Sequence, residues 1–86
     1  MDTPEPGYHL RAIPRGELGK ISKIKEELLE LEDAVAQESK IMALVELSDL
    51  IGAIEHYLEH QHPGVTLEDL KRFSRITRRA FENGRR

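Results

Sequence analysis

The chain contains no cysteine and no tryptophan, and it has only two tyrosines and two phenylalanines among its 86 residues. The absence of cysteine excludes a disulfide framework and a thiolate metal site, and it favours a reducing cytoplasmic location. No apolar run approaches the roughly 18 residues needed to span a bilayer. The polar opening segment, residues 1–7, does not have the pattern of a signal peptide. We therefore expect one small cytoplasmic domain without a membrane partner.

Charge is unevenly distributed along the chain, although the net charge is only −3. Residues 17–59 contain eleven acidic and four basic side chains, whereas residues 70–86 contain seven basic and one acidic. An acidic middle can concentrate cations, and a basic end can meet phosphates or the acidic helices of a neighbour. Single-strand binding usually needs exposed aromatic side chains. Phe73 and Phe81 fall on the apolar side of the basic segment, so we expect no nucleic-acid partner.

Proline and glycine are concentrated in residues 1–16, and this predicts an extended N-terminal arm. Tyr8, Leu10 and Ile13 are apolar enough for the arm to lie on the rest of the chain. Residues 17–86 form the second unit, an all-α domain without a convincing strand.

Apolar side chains at helical spacing predict three helices in this domain, joined by short connections. The first runs from about residue 17 to 38 and the second from about 40 to 60, where His62-Pro63-Gly64 ends it. The third begins with Thr66 as N-cap, in an approximate capping box with Asp69, and ends at Asn83-Gly84. The apolar stripes of the first two helices are Ile21, Ile24, Leu28, Leu31 and Val35, and then Leu44, Leu47, Ile51, Ile54 and Leu58.

A second apolar line on the first helix, made of Leu18, Leu29 and Ala36, lies well away from the main stripe. Such a line favours a contact with another subunit. A chain of this size buries a limited core alone, and oligomerisation is a usual remedy. We expect a homo-oligomer, either a dimer or a tetramer, in which the bundle is completed between chains.

Four carboxylates form two pairs on the first two predicted helices. Glu27 and Glu30 belong to the first helix, and Glu46 and Asp49 belong to the second. Residues three apart project from one side of a helix, and each pair lies on the flank of its apolar stripe. Antiparallel packing can bring the four groups together, and such a cluster needs a cation to offset charge repulsion. Oxygen ligands suit Mg²⁺ or Mn²⁺.

Two small residues sharpen this interpretation. Ala34 and Ala53 fall between the acids of their respective pairs in helical angle, so they leave room for a ligand. The alternative is that the acids are surface groups on amphipathic helices of a chain rich in glutamate. The spacing of the residues leaves both interpretations open.

The order of the acids resembles a motif of the MazG-like nucleotide pyrophosphohydrolases. That family carries Glu-Glu-x-x-Glu and, after a spacer, Glu-x-x-Asp on consecutive helices. This chain has Glu26-Glu27-Leu28-Leu29-Glu30, fifteen further residues, and then Glu46-Leu47-Ser48-Asp49. The resemblance covers residues 17–82, and the short chain is similar to small stand-alone members of the family, including those carried by phages.

The resemblance implies Mg²⁺-dependent hydrolysis of a nucleoside triphosphate to a monophosphate and pyrophosphate, with Mn²⁺ as a possible substitute. It assigns the metal to Glu27, Glu30, Glu46 and Asp49, and it places Glu26 among the catalytic residues. The family often has a polar residue one to two turns after the Asp, and here that stretch is 50–56, so the nucleobase contact stays open. The alternatives are a phosphoribosyl-nucleotide substrate and a non-enzymatic helical interaction module with a basic C-terminal helix.

The positions of three further side chains make them candidates for binding phosphate or a metal ion. Lys23 lies one turn before Glu27, where it can grip substrate phosphates or simply pair with Glu27. His56 and His60 are four residues apart, a spacing that suits Zn²⁺. The alternative for the histidines is packing, with His60 also placed favourably at the C-terminal end of its helix.

Overall fold

The computed structural model describes residues 9–82 and 84, and these include no strand. Three helices follow one another: α1 (Ile21–Ala36), α2 (Lys40–Gln61) and α3 (Leu67–Glu82). The described chain is therefore all-α, as predicted. Tyr8 and Asn83 lie outside the described residues, and so does the side chain of Phe81.

α1 and α2 pack against each other along their lengths, because the short turn over residues 37–39 folds one back on the other. α3 contacts only the second half of α2, where Leu70 and Phe73 approach Ile54 and Leu58. None of the three helices is long and apolar enough to cross a membrane, as far as the described residues extend.

α1 begins at Ile21 rather than at the predicted residue 17. Gly19 has a φ of +85°, a conformation that strains residues with a side chain. It also lies against the ring of His60, and a Cβ at this position would be 2.7 Å from Nδ1. The N–H of Glu17 donates to Ser22 Oγ at 2.9 Å. Residues 16–20 are therefore a tight turn that packs on α2.

The other predicted helix ends agree with the structure to within two residues. Glu38, with a φ of 59°, terminates α1, and Ser39 caps α2 by accepting from the N–H of Met42 at 3.2 Å. At the start of α3 the capping box is confirmed. The N–H of Asp69 donates to Thr66 Oγ1 at 3.3 Å, and the N–H of Thr66 donates to Asp69 Oδ2 at 2.9 Å.

The apolar stripes of α1 and α2 are not the surfaces that these helices bury against each other. Ala34, Ala53 and Leu58 are buried, together with the charged residues Glu27 and Glu46. Most of the stripe side chains are exposed in the single chain because α3 covers only one end of α2. The exposed members are Ile21, Leu28 and Val35 of α1, and Leu44, Leu47 and Ile51 of α2.

Candidate metal centre

The packing of α1 on α2 brings the two predicted pairs of acids together. Glu27, Glu30, Glu46 and Asp49 each offer one carboxylate oxygen, and these four oxygens all lie within 4.8 Å of one another. Four carboxylates at this separation repel one another strongly unless a proton or a cation intervenes. We refer to these four residues as the acid cluster.

The four residues of the acid cluster differ in how deeply they are buried. Glu46 has no exposed surface and Glu27 is 5% exposed, whereas Glu30 is half-buried and Asp49 is exposed. Ala34 and Ala53, the small residues between the acids in helical angle, are each 3% exposed. The cluster thus has a closed inner end at Glu46 and opens to solvent at Asp49, which is the side from which a ligand can enter.

Glu30 shows the electrostatic consequence of this arrangement. Burial raises the pKa of Glu30 to about 8, and the adjacent carboxylates of Glu27 and Glu46 add to the effect. Without a cation, the raised pKa of Glu30 therefore favours retention of a proton within the acid cluster. A bound divalent ion would displace that proton, since metal ligands of this type bind in their ionised form.

The donor set fits a hard divalent cation. The cluster offers carboxylate oxygens alone, which are the ligands that Mg²⁺ and Mn²⁺ prefer. In addition, Glu27 Oε2 is buried and makes no hydrogen bond with any of the described residues. A buried charged oxygen in that state is costly, and a cation between the two helices would satisfy it.

Lys23 and Glu26 lie next to the cluster and are joined to it. Lys23 Nζ is 3.0 Å from Glu26 Oε2 and 3.1 Å from Glu27 Oε1. Burial opposes the charge of the ammonium group, but the two carboxylates outweigh it and raise the pKa of Lys23. The other oxygen of Glu26 accepts a hydrogen bond of 2.8 Å from the N–H of Gly16. Glu26 therefore joins the arm to α1 and holds the ammonium group of Lys23.

Two residues beside the cluster carry no signal in the sequence. Asp33 is 3% exposed and accepts hydrogen bonds from the N–H of Leu10 at 2.9 Å and from Gln37 Nε2 at 2.8 Å. His9 Nδ1 lies 3.0 Å from the same carboxylate, and His9 Nε2 lies 3.7 Å from Glu30 Oε1. Burial opposes ionisation of Asp33, but the donors Gln37, Leu10 and His9 outweigh it and lower its pKa.

Each of the two α2 histidines contacts a backbone carbonyl of its own helix. His56 Nδ1 lies 2.9 Å from the carbonyl oxygen of Gly52, and His60 Nδ1 lies 2.9 Å from that of His56. The His60 ring packs on Gly19. Among the side chains that the structure describes, the acid cluster is the one group of three or more potential ligands close enough to share an ion.

Comparison of the chain with protein-family models, with curated proteins and with solved structures finds no match. The resemblance to MazG-like pyrophosphohydrolases therefore rests on the residues of the motif, and the role of the acid cluster as a metal centre stays a prediction.

Proposed function

We propose that the chain is a Mg²⁺-dependent pyrophosphohydrolase that converts a nucleoside triphosphate to a monophosphate and pyrophosphate, with Mn²⁺ able to replace Mg²⁺. The observation that carries this proposal is the convergence of Glu27, Glu30, Glu46 and Asp49 within 4.8 Å. Surface acids on amphipathic helices have no reason to face each other between two packed helices. A cluster that holds divalent cations suits a substrate whose phosphates are themselves cation ligands.

In this proposal the four cluster residues hold the metal. When bound, Mg²⁺ lowers the pKa of a coordinated water and offsets the charge of the departing pyrophosphate. The buried pair, Glu27 and Glu46, is fixed by packing and supplies a rigid inner wall. Asp49 and Glu30 border the open side, where the triphosphate enters.

Lys23 provides a positive charge beside the acid cluster in addition to that of the metal. Its ammonium group is charged and stands at the edge of the cluster, so it can bind the phosphate oxygens of the substrate. Glu26 acts as a positioning residue in this scheme, because both of its oxygens are occupied, one by Lys23 and one by the N–H of Gly16.

We further propose that the working molecule is a homo-oligomer, a dimer or a tetramer. The support is the exposed apolar stripe on the side of α2 away from the acid cluster, where Leu44 is 67% exposed and Ile51 is 45% exposed. A contiguous apolar surface of this kind marks an interaction site. A second copy of the chain offers the same stripe and is the simplest complement, since most homo-oligomers pair identical surfaces.

A screen of pyrophosphate release tests the enzymatic proposal. Each NTP and dNTP, and a phosphoribosyl-nucleotide, would be incubated with the chain in the presence of Mg²⁺ or Mn²⁺. We expect pyrophosphate as the first product from at least one substrate and no release in a metal chelator. Orthophosphate as first product would show that a different bond is cleaved. Lack of turnover across the whole screen would favour a non-enzymatic interaction module that uses the basic helix α3.

A further inference from the structure

The described part of the arm, residues 9–16, contacts α1 along a second line of acids that borders the cluster. Glu26, Glu30 and Asp33 follow one another at four- and three-residue intervals, so they share one side of the helix. Each of them meets a group of the arm. Gly16 donates to Glu26, His9 faces Glu30, and Leu10 with His9 contacts Asp33. Glu30 is the member of this line that also belongs to the acid cluster.

His9 is held more firmly than a residue of an extended arm usually is. Its side chain is only 11% exposed, and its Nδ1 lies 3.0 Å from the carboxylate of Asp33, a side chain that is 2% exposed. Asp33 is fixed in turn by the N–H of Leu10 and by Gln37. With Nδ1 on Asp33, the other ring nitrogen, Nε2, lies 3.7 Å from Glu30 Oε1.

We infer that His9 is a positioning residue of the acid cluster: anchored by Asp33, it holds the carboxylate of Glu30 in the place from which Glu30 binds a metal. This inference rests on the proposed function, because it assumes that the cluster binds a divalent cation. Glu30 needs such support more than Glu27 or Glu46, since it is half-buried and its long side chain has rotamers that lead away from the cluster. Groups that orient a metal ligand typically change affinity 10- to 100-fold.

The experiment is a titration of the full chain with Mn²⁺ alone, in which electron paramagnetic resonance measures the free ion. His9→Ala and His9→Phe both remove the ring nitrogens, one with loss of volume and one without. His9→Gln retains a polar nitrogen that can reach Glu30. We expect the first two variants to bind Mn²⁺ roughly 10- to 100-fold more weakly than the wild type, and His9→Gln to recover most of that loss.

The control is Ile13→Ala, which removes a buried apolar contact of the same arm without touching an acid. A role for His9 that is limited to holding the arm down would make Ile13→Ala weaken Mn²⁺ binding as much as His9→Ala does, and this would overturn the inference. Wild-type affinity in a His9→Ala or His9→Phe chain that keeps its helical circular dichroism would also overturn it. A wild-type chain that binds no Mn²⁺ would overturn the proposed function as well, so the two failures are distinguishable.

Discussion

The side-chain nitrogen of Lys23 lies 3.1 Å from Oε1 of Glu27, one helical turn further along α1. Glu27 is 5% exposed and belongs to the acid cluster, so this ion pair supplies positive charge at the edge of a group of four carboxylates. The pair satisfies Oε1 of Glu27, whereas Oε2 is buried without a hydrogen bond to any described residue. The same lysine therefore serves two proposed roles: it steadies the cluster when no metal is bound, and it meets the phosphates of a substrate.

Replacement of Lys23 by Gln tests both roles. In the absence of metal we expect a lower melting temperature, because the carboxylates lose a compensating charge. In the presence of Mg²⁺ we expect turnover to fall roughly 100-fold or more, as is typical when one electrostatic contact to a reacting group is removed. Lys25→Gln, an exposed lysine of the same helix, is the matched control. Equal turnover in the two variants would exclude Lys23 from the phosphate site.

The raised pKa of Glu30 predicts a pH-dependent stability of the metal-free chain. The ordinary pKa is 4.5 and the folded value is about 8, so between these limits the folded state binds a proton that the unfolded chain has released. Stability must therefore decrease as pH rises through this window and level off above it. We expect the melting temperature of the wild type to fall between about pH 5 and pH 8.

Glu30→Gln is the control for this pH effect, because it removes the titrating group and retains its size. The difference between the two melting curves isolates Glu30 from the histidines that titrate in the same range. A difference that does not change with pH would show that Glu30 ionises normally in the folded chain.

The exposed stripe of α2 predicts self-association. Leu44→Glu places a charge on the most exposed member of the stripe, and we expect sedimentation velocity to show a shift from oligomer to monomer. Leu10→Glu is a matched control, since Leu10 is equally exposed, at 65% against 67%, but belongs to the arm. A wild-type chain that sediments as a monomer at every concentration would refute the proposed oligomer.

We predict that the basic helix α3 does not bind nucleic acid. Phe73 is 57% exposed in the single chain, but it lies on the side of α3 that approaches Ile54 and Leu58 of α2. We expect fluorescence anisotropy to detect only weak binding of single- and double-stranded oligonucleotides. Tight binding whose logarithm falls steeply against the logarithm of salt concentration would contradict this expectation.

The parts of this structure that depend on local spacing could be predicted from the sequence. Helical periodicity paired the four acids and placed Ala34 and Ala53 between them in helical angle, and Thr66 and Asp69 marked the start of α3. These features follow from about 3.6 residues per turn and from the hydrogen-bonding capacity of single side chains.

The features that depend on contacts distant in sequence could not be predicted. The contact of His9 with Asp33 joins residues 24 positions apart, and no periodicity relates an extended arm to a helix. The delayed start of α1 has the same origin, because Gly19 is required by the ring of His60 on another helix. The exposure of the apolar stripes also escapes prediction, since periodicity shows that a stripe exists but not which surface covers it.

The central claim is that the acid cluster binds a divalent cation for catalysis, and Asp49→Asn tests it most directly. Asp49 is exposed, so the substitution keeps the shape of the chain and removes one ligand charge. The measurement is thermal melting with and without Mg²⁺, beside the pyrophosphate-release assay, with the exposed Glu55 of the same helix as the control in Glu55→Gln. Because Glu55 lies at the surface, Glu55→Gln should change the free energy of unfolding by less than about 0.5 kcal/mol.

We expect wild type and Glu55→Gln to gain stability from Mg²⁺, because the ion binds only the folded chain. Asp49→Asn should be equally or more stable without metal, since it relieves repulsion, should gain less from Mg²⁺, and should lose turnover. An Asp49→Asn chain that melts like the wild type in both conditions and retains full turnover would show that the acid cluster is not a metal centre.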